Sequence, residues 1–208
     1  MSRIQFLSSR YPGLLVYPPP LLADAVSPHR PPTSIEKAIM TNSMYSASVP
    51  VFKQMLTALS EVLKKAEAHA TGRNIEPNAL LQARLFPDMF PLVRQVQIAA
   101  DFSKGVSSRL AGVDVPSWPD TEVTFADLQA LLAKALTYIG TLDAAQFEGS
   151  ENREIVLRPG TPKEKKLVGS AYLQHYGLPQ FFFHVTTTYA ILRHNGVEIG
   201  KRDYMGSY

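Results

Sequence analysis

From Ser48 onward the apolar positions fall into a helical period. Phe52, Met55, Leu56, Leu59, Val62, Leu63 and Ala66 recur at steps of three and four residues, which places one apolar stripe along a first long helix. Ser48 is positioned to cap it, Pro50 fits its first turn, and Gly72 supplies a stop. A short helical turn is predicted after Pro77, through Ala79, Leu80 and Leu81. The run Phe86-Pro87-Asp88-Met89-Phe90-Pro91 then predicts a rigid, extended entry into a second long helix from about Pro91 to Leu110. Its inward residues are Leu92, Val96, Ala99, Ala100, Ser103, Val106 and Leu110, and Gly112 ends it.

The connection from Val113 to Glu122 holds Pro116 and Pro119 around Trp118. A third helix starts at Thr124-Phe125-Ala126-Asp127, the spacing of a capping box. It presents Phe125, Leu128, Leu131, Leu132, Leu136 and Ile139, and Gly140 closes it. Between Glu154 and Val168 the period shortens, with Ile155-Val156-Leu157 and Lys166-Leu167-Val168 flanking Pro159-Gly160-Thr161-Pro162, which predicts a β-hairpin flap. A fourth helix runs from near Ser170 to about His194, with a bend at Gly177-Leu178-Pro179 and a stop at Gly196. The tail with Gly200, Lys201, Arg202 and Asp203 reads as loose. Four striped helices with a hairpin before the last describe an all-α, four-helix bundle, in which ligand sites form between helices from inward side chains.

Composition changes this picture in two places. Cysteine is absent from the 208 residues, which excludes disulfides, thiolate metal sites and cysteine nucleophiles. The net charge of +3 comes from 21 basic and 18 acidic side chains, and neither candidate recognition helix carries a basic face, so nucleic-acid binding is not expected. Residues 1–39 differ from the rest, holding seven of the 16 prolines and only two acids, Asp24 and Glu36, against Arg3, Arg10, Arg30 and Lys37. They read as a disordered proline-rich extension or a mis-assigned start with Met40 as initiator, and residues 40–208 as the bundle domain. Arg3 and Arg10 among Ser2, Ser8 and Ser9 leave organellar import as the lesser reading beside a cytoplasmic one. No stretch is apolar for long enough to span a membrane, so no membrane partner is expected.

The fourth helix is the chemically informative element. Phe181-Phe182-Phe183-His184-Val185-Thr186-Thr187-Thr188-Tyr189 is apolar nearly all round, which places His184 inside the bundle, where a buried imidazole needs partners. Gln180 and Thr188 lie one turn before and after it, and Gln97 and Asp101 repeat that spacing on the second helix. If the two faces meet, Gln97, Asp101, Gln180 and His184 converge. Such a cluster reads either as a pocket for a small molecule or a metal, or as a satisfied polar group that fixes helix register. A single histidine with amides is a poor ligand set for zinc or iron. Tyr172, His175 and Tyr176 precede the bend and read either as the mouth of a pocket under the hairpin or as packing between bundle and flap. Signatures for dinucleotide binding, P-loops, zincins and serine hydrolases are missing.

Several segments resemble a known family. These are Ser43-Met44-Tyr45-Ser46-Ala47-Ser48-Val49-Pro50-Val51-Phe52, Arg84 to Leu92, Gln95-Val96-Gln97-Ile98-Ala99, Phe182 to Thr187, and Ala190 to Val197. Together they resemble a bacterial and fungal domain family of unknown function in the DinB/YfiT-like superfamily, over about Met40 to Gly206. The resemblance implies a four-helix bundle of a superfamily regarded as metalloenzymes, some of which transfer low-molecular-weight thiols. It also implies a triad of one histidine on the second helix and two on the fourth. His184 corresponds to the second ligand on the fourth helix, whereas Gln97 and Gln180 take the other positions, so the implied metal site is degenerate. The leading expectation is a metal-poor polar pocket for an unknown small molecule. The alternatives are a divalent-metal enzyme, hydrolase or thiol transferase, with His184 as ligand and Asp101 as ligand or base, and a homodimeric, partner-binding scaffold.

Overall fold

The computed structural model describes residues 43–208, and the proline-rich stretch of residues 1–39 lies outside them. Four long helical segments form the bundle. Helix α1 spans Val49–Gly72, a short α2 spans Pro77–Leu81, α3 spans Leu92–Ala111 and α4 spans Phe125–Gly140. Two 3-10 turns, Ala144–Phe147 and Ser150–Asn152, lead to the antiparallel strands β1 (Glu154–Leu157) and β2 (Lys165–Val168), paired from Glu154 with Val168 to Leu157 with Lys165. The last long segment has three parts: α5 (Gly169–Tyr172), a π turn (Leu173–Gly177) and α6 (Leu178–His194). A short α7, Lys201–Met205, ends the fold.

The stripes read from the sequence are the surfaces that pack. Helix α3 lies between α4 and α6, and α1 packs on α4. Phe52 of α1 meets Phe181 of α6 edge to face at 4.8 Å, a contact worth about 1 kcal/mol beyond the area it buries. All seven predicted inward residues of α3 are buried. On α4 Leu136 is only half-buried, so that stripe is narrower than its spacing suggests. The Thr124 cap is closed both ways: Asp127 N–H donates to Thr124 Oγ1 at 3.1 Å and Thr124 N–H donates to Asp127 Oδ2 at 2.9 Å.

Four local expectations are corrected. Ser48 does not cap α1: its hydroxyl donates back to the Met44 carbonyl at 2.6 Å, in the turn before the helix. The segment before α3 is not uniformly extended, since Met89 N–H donates to Phe86 O at 3.0 Å and closes a turn around Pro87 and Asp88. Helix α6 is not buried all round, for Phe183 is 55% exposed. The tail is not loose either. Helix α7 docks on α1, with Lys65 Nζ on Asp203 at 2.5 Å and Gln54 Nε2 donating to Met205 O at 2.9 Å.

The bend at Gly177 is a π turn rather than a proline kink. A Cβ there would meet Val106 Cγ2 of α3 at 2.8 Å, so glycine lets the widened turn lie against α3. Such turns often mark functional sites. Arg153, just before β1, donates from Nη1 to Leu110 O, and places its cation at the C-terminal end of α3 where the carbonyls lack partners. This contact ties the hairpin to the bundle.

Candidate functional site

Helix α3 carries a glutamine inside its apolar stripe. Leu92, Gln95, Val96 and Ala99 follow the three- and four-residue steps of the inward face, and Gln95 is 1% exposed. Its Nε2 donates to Phe90 O at 3.0 Å, which leaves Oε1 facing α6. There it lies 2.7 Å from His184 Nδ1. An amide oxygen can only accept, so Nδ1 carries the proton and Nε2 presents a lone pair. Nε2 has no hydrogen-bond partner among the described residues.

The ring is held on both sides. Phe102 of α3 stacks on it at 6.0 Å and 17°, and Phe183 meets it edge-on at 5.2 Å. Burial, and secondarily the nearby Arg94 cation, push the imidazole down from its ordinary 6.5 to about 4. His184 is therefore neutral at physiological pH, an acceptor through Nε2 and a weak base.

Beside it runs a charged relay into the connection before α4. Arg94 pairs with Asp120 and donates from Nη1 to Gln97 Oε1 at 3.2 Å, and Gln97 Nε2 donates to Glu122 Oε2 at 2.8 Å. Gln97 is thus buried and turned toward the 113–122 segment, while Gln95 is the glutamine that reaches His184. Gln180 sits one turn before His184, half-buried, with no hydrogen bond among the described residues. Thr188 donates to the His184 carbonyl at 2.9 Å, within the helix.

Asp101 and Tyr176 line a cleft away from the His184 ring. This cleft of about 200 Å³ opens between α3, the π turn and the hairpin. Arg109, Arg158 and Asp101 supply its charges, and Phe102, Tyr172 and Tyr176 its aromatic wall. Asp101 is engaged by Lys104 Nζ at 2.7 Å, not by His184. The Tyr172 phenol accepts from Arg109 Nη1 at 3.3 Å; its burial raises its pKa, opposed by the Arg109 charge. Phe102 links the two sites, since it stacks on His184 and meets Tyr176 edge-on at 5.9 Å. His175, expected near the mouth, is exposed.

The donor set does not fit a tightly held divalent ion. Among the described residues no three His, Cys, Asp or Glu side chains gather in one place. Glu122 is held by Gln97, Asp120 by Arg94, and the Arg94 cation disfavours positive charge at His184. Zinc or iron sites need several imidazoles, thiolates or free carboxylates at one point. The glutamines that the resemblance puts in the triad are not the one on the ring: Gln95 lies opposite His184, Gln97 turns to Glu122, and Gln180 makes no hydrogen bond among the described residues.

The residues missed from the sequence are Gln95, Arg94, Glu122, Arg109 and Arg158. Gln95 alone left a signal, a polar residue at an inward step of the α3 stripe.

A four-helix bundle with a neutral histidine facing a glutamine between its α3 and α6 helices is the class that fold and site define. The pattern of the family described as "Domain of unknown function (DUF1993)" matches residues 44–205, and the chain belongs to that family. A crystal structure of a DinB family member protein from Shewanella denitrificans is similar, with 39% identity and a TM-score of 0.75, over 79% of this chain and 93% of that one. None of the curated proteins matches the chain. Among the described residues no helix is long and apolar enough to cross a membrane.

Proposed function

We propose that this domain is a DinB-like helical bundle that binds a small molecule in the polar pocket between α3 and α6, without a resident divalent metal. The observation that carries the reading is the fixed tautomer of His184: Gln95 takes Nδ1–H, and Nε2 is left as an unpaired acceptor that a ligand can reach. A ligand hydroxyl or amide N–H would donate to it. Phe102 and Phe183 would flank the bound group, and Arg94, held between Asp120 and Gln97, would set the polarity at its edge.

The metal-dependent alternative makes the opposite prediction, which gives a direct test. Protein purified without a histidine tag is expected to contain far less than one zinc, nickel or iron ion per chain. It should show no rise in melting temperature with added zinc. A stoichiometric metal that disappears in His184→Ala would overturn the proposal.

A further inference from the structure

The cleft beside Tyr172 and Tyr176 holds two arginines that no acid neutralises. Neither Arg109 nor Arg158 forms an ion pair among the described residues. Asp101, the acid in the cleft, is already paired with Lys104. Two like charges facing one small cavity repel, and an anion placed between them relieves that repulsion while gaining charge-assisted hydrogen bonds.

The Arg109 guanidinium and the Arg158 backbone are both specifically placed. Arg109 folds back so that Nη1 donates to Gly105 O at 3.0 Å and to the Tyr172 hydroxyl at 3.3 Å. A Cβ at Gly105 would lie 2.8 Å from that same Nη1, so glycine permits the approach. Nε and Nη2 of Arg109 have no partner among the described residues, which leaves one edge of the fork to a ligand. Arg158 sits in the left-handed region at φ 51, where a side chain costs free energy that glycine would not. Its carbonyl accepts from Thr161 N–H at 3.3 Å and Thr161 Oγ1 at 2.9 Å, which holds the turn. A non-glycine residue kept in that conformation, with its side chain lining a cleft, points to a role for the side chain.

The rest of the wall is apolar. Leu157 and Val106 face the same space as Phe102, and Tyr172 and Tyr176 stack on one another at 5.8 Å. The cleft has a volume of about 200 Å³, and an apolar cavity of about 150 Å³ takes benzene. A benzene ring with one carboxylate matches both size and charge.

We infer that this cleft is a binding site for a small aromatic carboxylate, its carboxylate held between Arg109 and Arg158 and its ring against Phe102, Tyr172 and Leu157. The hairpin would then be part of the site, since Leu157 and Arg158 come from its first arm. The inference does not depend on the reading of His184, so the two can fail separately.

The test is calorimetric titration of the full chain with benzoate, benzyl alcohol and inorganic phosphate. Benzoate is expected to bind saturably at one site per chain, with both comparison compounds at least about tenfold weaker. Arg158→Gly should weaken benzoate by about tenfold or more while leaving the melting temperature unchanged or higher, because the strained backbone is relieved. Absence of saturable benzoate binding below about 10 mM would overturn the inference. So would benzyl alcohol or phosphate binding as tightly as benzoate, or full benzoate affinity in Arg158→Gly.

Discussion

Replacing Gln95 by leucine tests the arrangement at the centre of the bundle. The two side chains are similar in volume, so the apolar stripe of α3 stays filled and the cavity contribution is small. What is lost is the acceptor for His184 Nδ1–H at 2.7 Å and the donor to Phe90 O at 3.0 Å. The Phe90 contact is part-buried whereas the imidazole contact is buried, so the main cost falls on the imidazole N–H. Leaving one buried donor without a partner costs about 1–3 kcal/mol. For a domain of this size each kcal/mol lowers the melting temperature by roughly 2–4 °C, so Gln95→Leu should melt roughly 2–12 °C below the wild type. The tautomer supplies a second readout. Nitrogen-15 NMR of the wild type should show His184 protonated at Nδ1, and Gln95→Leu should move population toward Nε2–H. A wild-type ring protonated at Nε2, or a variant as stable as the wild type, would refute the reasoning.

Two further outcomes follow from the geometry. His184 is held below its unfolded value, from 6.5 to about 4, so the unfolded chain takes up this proton before the folded one. Its contribution to stability is complete above pH 6.5 and is lost progressively as the pH falls to about 4. With solvent screening at the ring edge, the loss is about 1–2 kcal/mol. Denaturant melts should show it between those limits, and His184→Phe should remove it, so an unchanged slope in that variant would contradict the assignment. Gly169→Ala places a Cβ 1.8 Å from the Ser150 carbonyl oxygen, with backbone on both sides of the clash. It should cost about 3 kcal/mol or more, read as a melting temperature lower by roughly 6–12 °C; wild-type stability would show that the start of α5 is not docked on the Ser150 turn.

Within the described residues, the parts of the fold legible in the sequence are those fixed by local chemistry. The period of Phe52 to Ala66, the reciprocal Thr124–Asp127 cap, the left-handed Gly112 and Gly196 stops and the short period around Pro159-Gly160 each act within a few residues. They specify elements whatever those elements later pack against. The expected pocket residues illustrate the limit. Gln97, Asp101, Gln180, His184 and Tyr176 all lie on α3 or on the last long helical segment, yet each step along a helix turns about 100°. Packing therefore decided that Gln95 meets His184, that Gln97 turns to Glu122, and that Asp101 and Tyr176 share the other cleft.

The sequence by itself determined the four-helix architecture, the hairpin before the last helix, the burial of His184 and the exclusion of cysteine chemistry. Periodicity, capping spacing and composition are properties of neighbouring residues, and no partner surface is needed to read them. Only the tertiary structure decided which nitrogen of His184 is free, that Arg109 and Arg158 face one cleft 49 positions apart, and that the tail docks on α1. Those outcomes depend on helix rotation, on the close approach allowed by Gly105 and Gly177, and on contacts between residues far apart in the chain.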